Sequence, residues 1–392
     1  MVAAASAKLY DPAVTLIASP PAVNRSRIPT NKSTARRAEL PRRSGGPACV
    51  VVPAAARWRS LTFESCFRYD AAVPARCSNS PILLGLIAVA VALGGTRAAG
   101  EPRPDLDYRP SIADPEYRSG SGPVVCIDAA HHNFHRVDGL YRSFGDLLLA
   151  DGYRIQVTDV AFDREVPADC RVLVIANAQP SSAEWKHYPY PTPSAFTDAE
   201  VRWIVTWVRE GGRLLLIADH MPFPGAAASL AAGFGCRFND GFAVADFSSE
   251  AEGREAFLTP TLFSRQNGLL GSHPIVAGRS QTRQVTQVAT FAGQAFLCGS
   301  GATALLVLPR DFVSLMPARP WEFTLQTLQV PVGGWLQGAA IEFGAGRVAI
   351  FGEGGMFAAQ ITDDGRPMGM NARGAEQNAL FVRNIVDWLS GP

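Results

Sequence analysis

Between residues 123 and 235 the chain alternates short, uninterrupted apolar runs with stretches of helical period, which limits the architectures open to it. "PVVCIDAA" (123–130), "RVLVIANAQ" (171–179) and "RLLLIADH" (213–220) carry apolar side chains at successive positions. Strands of that kind are covered on both faces, as in a parallel sheet. "DGLYRSFGDLLLADG" sets Leu140, Tyr141, Phe144, Leu147 and Leu148 on one helical face, and Gly152 suits the left-handed position that ends the helix. "YRIQVTD" predicts another strand. "FTDAEVRWIVTWVREGG" predicts a helix opened by a capping box of Thr197 and Glu200 and closed at Gly211. "MPFPGAAASLAAGFG" predicts a loop entering a small-residue helix, with Pro222 and Pro224 near its start. Strands joined through helices imply a parallel sheet with right-handed crossovers.

Beyond residue 236 the pattern loosens. "QVTQVATF", "ALLVLP" and "GAAIEFGAGRVAIFGEGG" predict further strands, with a hairpin turn at "EFGAGRV". "GAEQNALFVRNIVDWLS" predicts a closing helix with Leu380, Phe381, Ile385, Trp388 and Leu389 inward.

The first hundred residues read differently. Residues 1–80 hold 12 Lys+Arg against 4 Asp+Glu, a net of +8 that offsets −7 over the remainder. They are rich in Ala, Pro, Arg and Ser without periodicity, so the expectation is disorder. "RRAELPRRSGG" has no aromatic interleaving and no helical face, and nucleic acid is not an expected partner. Residues 81–100 have the grammar of a secretory signal: a twelve-residue apolar run, Ile82–Leu93, then small residues ending in Ala98-Ala99-Gly100. The run is short for a membrane span. A signal this far from residue 1 suggests a true translation start near residue 75. The alternative is an uncleaved anchor through residues 81–95, the one expected membrane contact. Either reading places the globular part outside the cytoplasm, periplasmic or secreted. Residues 101–122, full of Pro, Gly, Ser and charge, are expected as a linker, and 123–392 as one α/β domain. Cys126, Cys170, Cys236 and Cys298 match no metal spacing and are expected as buried free thiols, although export would permit disulfides.

Polar residues recur where the apolar strands stop, and ligands of open α/β sheets bind beyond the carboxyl ends of the strands. The first strand delivers Asp128, His131, His132 and Asn133. The third delivers Asn177 and Gln179, the fourth Asp219 and His220, and the late strand "RVAIFGEGG" delivers Glu353. Asp128, His131, His132, Asp219, His220 and Glu353 are the candidate catalytic residues. His131, His132, Asp219 and His220 are also candidate ligands for a divalent metal such as zinc or manganese, which needs N/O donors converging from separate elements. The competing reading gives each histidine to a backbone carbonyl and each aspartate to a cap. His135 is expected to be structural. His131 and His132 are expected to share a pocket with Asp219 and His220. No Ser or Cys sits in a strand-to-helix elbow, no GxGxxG follows the first strand, and no Walker motif occurs, so acyl-enzyme and dinucleotide chemistry are not expected. The aromatic loop "EWKHYPYPTPSAF" (184–196) reads either as the wall of a cleft or as a lid packed on the domain.

"IDAAHHNFHRVDGLYRSFGDLLLADGYRI", "LVIANA", "SAFTDAEVRWIVTWVREGGRLLLIADHMPFPGAAASLAAGFG" and "FGAGRVAIFGEGGMFAAQ" with "NALFVRNIVDWL" resemble a bacterial exported domain-of-unknown-function family. That family is similar to the class I glutamine amidotransferase-like superfamily. The resemblance spans residues 123–390. It implies a flavodoxin-like three-layer α/β sandwich with a central, mostly parallel sheet. His220 stands near where the superfamily's nucleophile would fall, so glutaminase activity is not implied. Two functions remain as expectations: a module binding a small polar ligand or glycan, and a metal-assisted hydrolase in which the Asp/His cluster activates water.

Overall fold

The computed structural model describes residues 101–162, 169–247, 250–324 and 326–391. The expectations for residues 1–100 lie outside the described residues. No helix among the described residues is long and apolar enough to cross a membrane.

Strands and helices are numbered in chain order. The main sheet runs β3 (Arg154–Thr158), β2 (Val124–Asp128), β4 (Cys170–Ala176), β5 (Arg213–Ile217), β15 (Gly346–Phe351), β14 (Leu336–Phe343), β10 (Phe296–Cys298) and β6 (Cys236–Phe238). β11 (Ala302–Val307) pairs with β14 off this path. The first five strands in this order are mutually parallel. β15 to β14, β14 to β10 and β10 to β6 are antiparallel, as is β11 to β14. The fold is therefore mixed α/β, with the expected parallel sheet as one half and an antiparallel extension as the other. The extension comes from the loosely patterned region beyond residue 236.

Period-two alternation decides the layers. Val125, Ile127, Val172, Val174, Leu215, Ile217, Ala349 and Phe351 face one core, with α1 (Arg142–Ala150) and α6 (Asn378–Ser390). Val124, Cys126, Leu173, Ile175, Leu214, Leu216, Val348 and Ile350 face the other, with α2 (Asp198–Arg209) and α3 (Phe223–Gly233). Every strand of the parallel half except the edge strand β3 thus feeds both cores. Burying a Leu, Ile or Val side chain contributes about 1.5–3 kcal/mol, so a polar substitution on either face is costly. The capping box at Thr197 and Glu200 is formed. The inward stripe of α6 is Phe381, Val382, Ile385, Val386 and Leu389, with Leu380 and Trp388 half-buried at its margins.

Residues 101–122 are built into the domain rather than acting as a linker. β1 (Arg103–Pro104) pairs with β16 (Ala359–Ile361), which pairs with β17 (Pro367–Gly369), and Tyr108, Ile112 and Tyr117 pack on the core. These scattered aromatic and aliphatic residues have no period, so composition hid them. Two further small sheets complete the described chain: β13 (Leu328–Pro331), β12 (Phe312–Met316) and β7 (Phe242–Ala245), and β8 (Thr261–Ser264) with β9 (Gln287–Thr290). The remaining helices are α4 (Glu250–Leu258) and the short α5 (Pro274–Ala277), which is capped by His273 Nδ1 accepting from Ile275 N–H.

The four cysteines are paired, which corrects the expectation of free thiols. Cys126 on β2 bonds Cys170 on β4, and Cys236 on β6 bonds Cys298 on β10. The strands concerned are neighbours in the sheet, and Cys236 and Cys298 stand opposite each other in register. Separations of 44 and 62 residues hid these pairings in the sequence. Closing a loop of that length removes chain entropy from the unfolded state and is worth roughly 2–4 kcal/mol. Replacing Cys236 and Cys298 together by alanine is expected to lower unfolding free energy by about that amount in urea titrations. Unchanged stability, or alkylation of these cysteines in the folded, unreduced protein, would contradict the pairing.

Candidate functional site

The loop that carries the histidines is held against the end of β4. Phe134 N–H donates to Asn177 O, Gln179 N–H to His131 O, the Gln179 amide to His132 O and the Asn133 amide to Ala176 O. These bonds fix the loop's path, and the path sorts the histidines into different surroundings.

His131 is buried between the rings of Phe162 and Phe196, with centroids at 4.9 and 4.5 Å. Its Nδ1 lies 2.9 Å from Asp128 Oδ2, and its Nε2 lies 3.0 Å from Glu200 Oε1. Both nitrogens therefore face acceptors, which suits an imidazolium. Burial opposes the charge, but Asp128 and Glu200 outweigh it, and the His131 pKa is raised. Glu200 is buried too, yet the Thr197 N–H and hydroxyl and His131 hold its pKa below the usual carboxylate value. His131, Asp128 and Glu200 thus form a closed ion cluster joining the β2 loop to the start of α2. His132 is exposed, at φ 48°.

The second cluster gathers where β2, β4, β5 and β15 end. Asn177, in the left-handed region at φ 53°, is its hub. Its Oδ1 accepts from Asp219 N–H at 2.9 Å, and its amide donates to His135 Nδ1 at 2.9 Å. His135 is fully buried and stacks on Tyr141 at 4.4 Å, and burial, with His220 nearby, depresses its pKa to about 3. With Nδ1 accepting, the neutral ring carries its proton on Nε2. Asp219 accepts from His220 N–H and Gly354 N–H, and Tyr141 O–H donates to Gly354 O. Burial raises the Asp219 pKa against the pull of His220 and these N–H groups. Glu353 accepts from Gly355 and Met356 N–H, and burial together with Asp219 pushes its pKa well above the usual range. Gly354 is required by close approach: a Cβ there would lie 2.7 Å from His135 Cε1 and 3.1 Å from Asp219 Oδ2.

His220 is the half-buried member of this group. Its Nδ1 donates to Met221 O at 2.8 Å, which leaves Nε2 as the uncommitted atom. Its ring stacks on Phe242 at 4.5 Å, meets Trp321 edge-on at 5.3 Å and lies 5.7 Å from Trp185 and 6.0 Å from Phe223. The ring is thus oriented by a carbonyl and aromatic faces.

The six candidate residues therefore divide. Asp219, His220 and Glu353 come together; Asp128 and His131 form the separate ion cluster; His132 belongs to neither. Both nitrogens of His131 are engaged by Asp128 and Glu200, so its ring makes no hydrogen bond to Asp219 or His220. Among the described residues no group of three or more His, Cys, Asp or Glu side chains is placed to hold a metal ion, so His131, His132, Asp219 and His220 are not assembled as one ligand set. His135, expected to be structural, lies in the strand-end cluster. Asn177 was flagged only by its place after a strand, and Glu200 only as a cap. Nothing in the sequence pointed to Phe242 or Trp321 as partners of His220, because each arrives from a distant element, and Tyr141 was read only as part of a helical face.

No family model and no curated protein matches the chain. Among solved structures it is similar to the N-terminal domain of mmIFT52, with TM-score 0.46 and 14% identity over 68% of this chain and 98% of that one. It is also similar to a ThuA-like protein from Bacteroides uniformis, with TM-score 0.37 and 11% identity over 71% and 94% of the two chains. A cytoplasmic protein from Salmonella typhimurium gives TM-score 0.37 and 12% identity over 68% and 98%. Likenesses this distant carry no conclusion about activity.

Two outcomes test the geometry. Because His131 has a raised pKa in the folded state, its stabilisation is fully present below its unfolded value near 6.5 and is lost as pH rises through the folded value. Glu200, lowered, loses its contribution as pH falls through its folded value. His131→Ala is expected to cost roughly 3–5 kcal/mol near pH 6, with the difference from the parent shrinking at alkaline pH. A pH-independent difference in urea titrations would remove the ion cluster. Gly354→Ala should cost about 1–3 kcal/mol through overpacking against the His135 ring, read as a lowered melting temperature, and a neutral effect would contradict the close approach.

Proposed function

We propose that this chain is an exported binding module of flavodoxin-like, amidotransferase-like fold, and that it takes a small polar ligand of sugar type at the carboxyl ends of its parallel strands. The strand order supports the fold. Numbered by appearance, the five parallel strands run 2-1-3-4-5, the flavodoxin-like doubly wound order. The crevice at the switch point between the first and third strands lies where the histidine loop meets Asn177. Two disulfides support export, since such bonds persist in oxidising compartments, and so does the signal-like run at 82–93.

One observation carries the ligand class: a half-buried histidine with one open ring nitrogen, seated on the buried rings of Phe242 and Trp185 and beside the exposed ring of Trp321. An exposed aromatic ring beside a single hydrogen-bonding group suits a ligand with C–H faces and hydroxyl edges. Behind this surface Asp219, Asn177 and His135 hold the position of His220 without being exposed themselves. No Ser or Cys sits in a strand-to-helix elbow, which favours binding over acyl transfer.

Neutral oligosaccharides presented on an array, followed by calorimetry on the best binder, test this reading. A saccharide that binds the parent should bind His220→Ala and Trp321→Ala about five- to tenfold more weakly, the loss expected for one hydrogen bond or one stacking contact. If no saccharide binds at millimolar concentration, or if both variants bind as the parent does, the reading fails.

A further inference from the structure

A second concave region lies beside the His220 cluster and is not part of it. It is a groove of about 520 Å³ whose walls come from the end of α4 and the start of β8, from Phe291, and from residues 362–374. Its lining is mostly apolar: Phe257, Leu258, Pro260, Leu262, Phe291 and Met368. Leu258 and Leu262 are 47% and 40% exposed, unusually open for leucines that face a common hollow. This volume and character fall in the range of small-molecule sites, and a hollow closed by separate segments differs from the flat face that docks another protein.

The polar part of the lining is one-sided. It contains Arg366 and Arg373 and no Asp or Glu. Arg366 is engaged by Asp364. Glu376, the acid whose charge Arg373 feels, accepts from Gly374 N–H and is not on the lining. Arg373 itself makes no hydrogen bond or ion pair among the described residues, which leaves its five N–H donors to whatever occupies the groove. A hollow with apolar walls and a guanidinium at its rim matches a ligand with an apolar body and one anionic head, and a carboxylate matches the guanidinium fork.

We propose that this groove binds an apolar-tailed monocarboxylate, with the tail against Phe257, Leu262, Phe291 and Met368 and the carboxylate on Arg373. Phe257 forms the shared wall with the first site: its ring lies 5.2 Å from Trp321 and 6.1 Å from Phe242. The two sites are neighbours that meet at this one ring. The proposal does not rest on the saccharide reading.

Calorimetry of the full chain with dodecanoate, below its micelle concentration, tests this. The expected result is saturable one-to-one binding, with dodecyltrimethylammonium at least tenfold weaker. Arg373→Gln, at an exposed position, should weaken dodecanoate about tenfold. Leu258→Glu, also exposed, should weaken dodecanoate and strengthen the cationic analogue. His220→Ala should leave dodecanoate binding unchanged, which separates this site from the saccharide site. The proposal is overturned by the absence of saturable binding, by equal affinity for the cationic analogue, by unaltered affinity in Arg373→Gln, or by loss of binding in His220→Ala.

Discussion

Asn177 uses all of its hydrogen-bonding groups at the end of β4. Its backbone N–H donates to Ile217 O and its carbonyl accepts from Phe134 N–H, while its side chain accepts from Asp219 N–H and donates to His135 Nδ1. One residue therefore ties the histidine loop, the end of β4 and the turn after β5 into a single unit. The left-handed backbone that permits this is one that asparagine tolerates better than most side chains. The buried position makes each bond matter, because a buried amide left unsatisfied costs about 1–3 kcal/mol. Without this hub neither the neutral His135 nor the orientation of the Asp219–His220 turn would be fixed.

The hub exists because the sheet leaves polar groups nowhere else to go. The four inner strands of the parallel half are apolar on both faces. The first polar side chains after each strand therefore collect at one edge, and there they sort by partner. His131 meets two carboxylates and is held as a cation. His135, a few residues on, meets an amide and an aromatic ring and is held neutral. Two histidines of one short motif thus carry opposite preferences, set by the surrounding elements and not by the motif. His220 differs again, since a carbonyl and aromatic faces orient it and leave one nitrogen open.

The site also draws on the small sheet of β13, β12 and β7. Phe242 on β7 and Trp321 near β12 come from the region without clear sequence period; Phe242 packs beneath the His220 ring and Trp321 stands exposed beside it. The parallel half provides the polar groups and the later half provides the aromatic frame. The disulfide between Cys236 and Cys298 joins β6 and β10, the two outermost strands at that end of the main sheet.

The sequence by itself determined the alternating strands and helices of residues 123–235, the capping box at Thr197 and Glu200, the hairpin at residues 343–346 and the collection of polar residues at strand ends. All of these follow from local period or local backbone preference, which neighbouring residues specify. Only the tertiary structure decided which polar residues meet. That His131 pairs with Glu200, that His135 pairs with Asn177, and that His132 is left in solvent depends on how elements 40 to 70 residues apart are brought together. The disulfides and the packing of Tyr108, Ile112 and Tyr117 were hidden for the same reason: burial and pairing are properties of the assembled layers, and no local pattern encodes a partner that arrives from a distant strand.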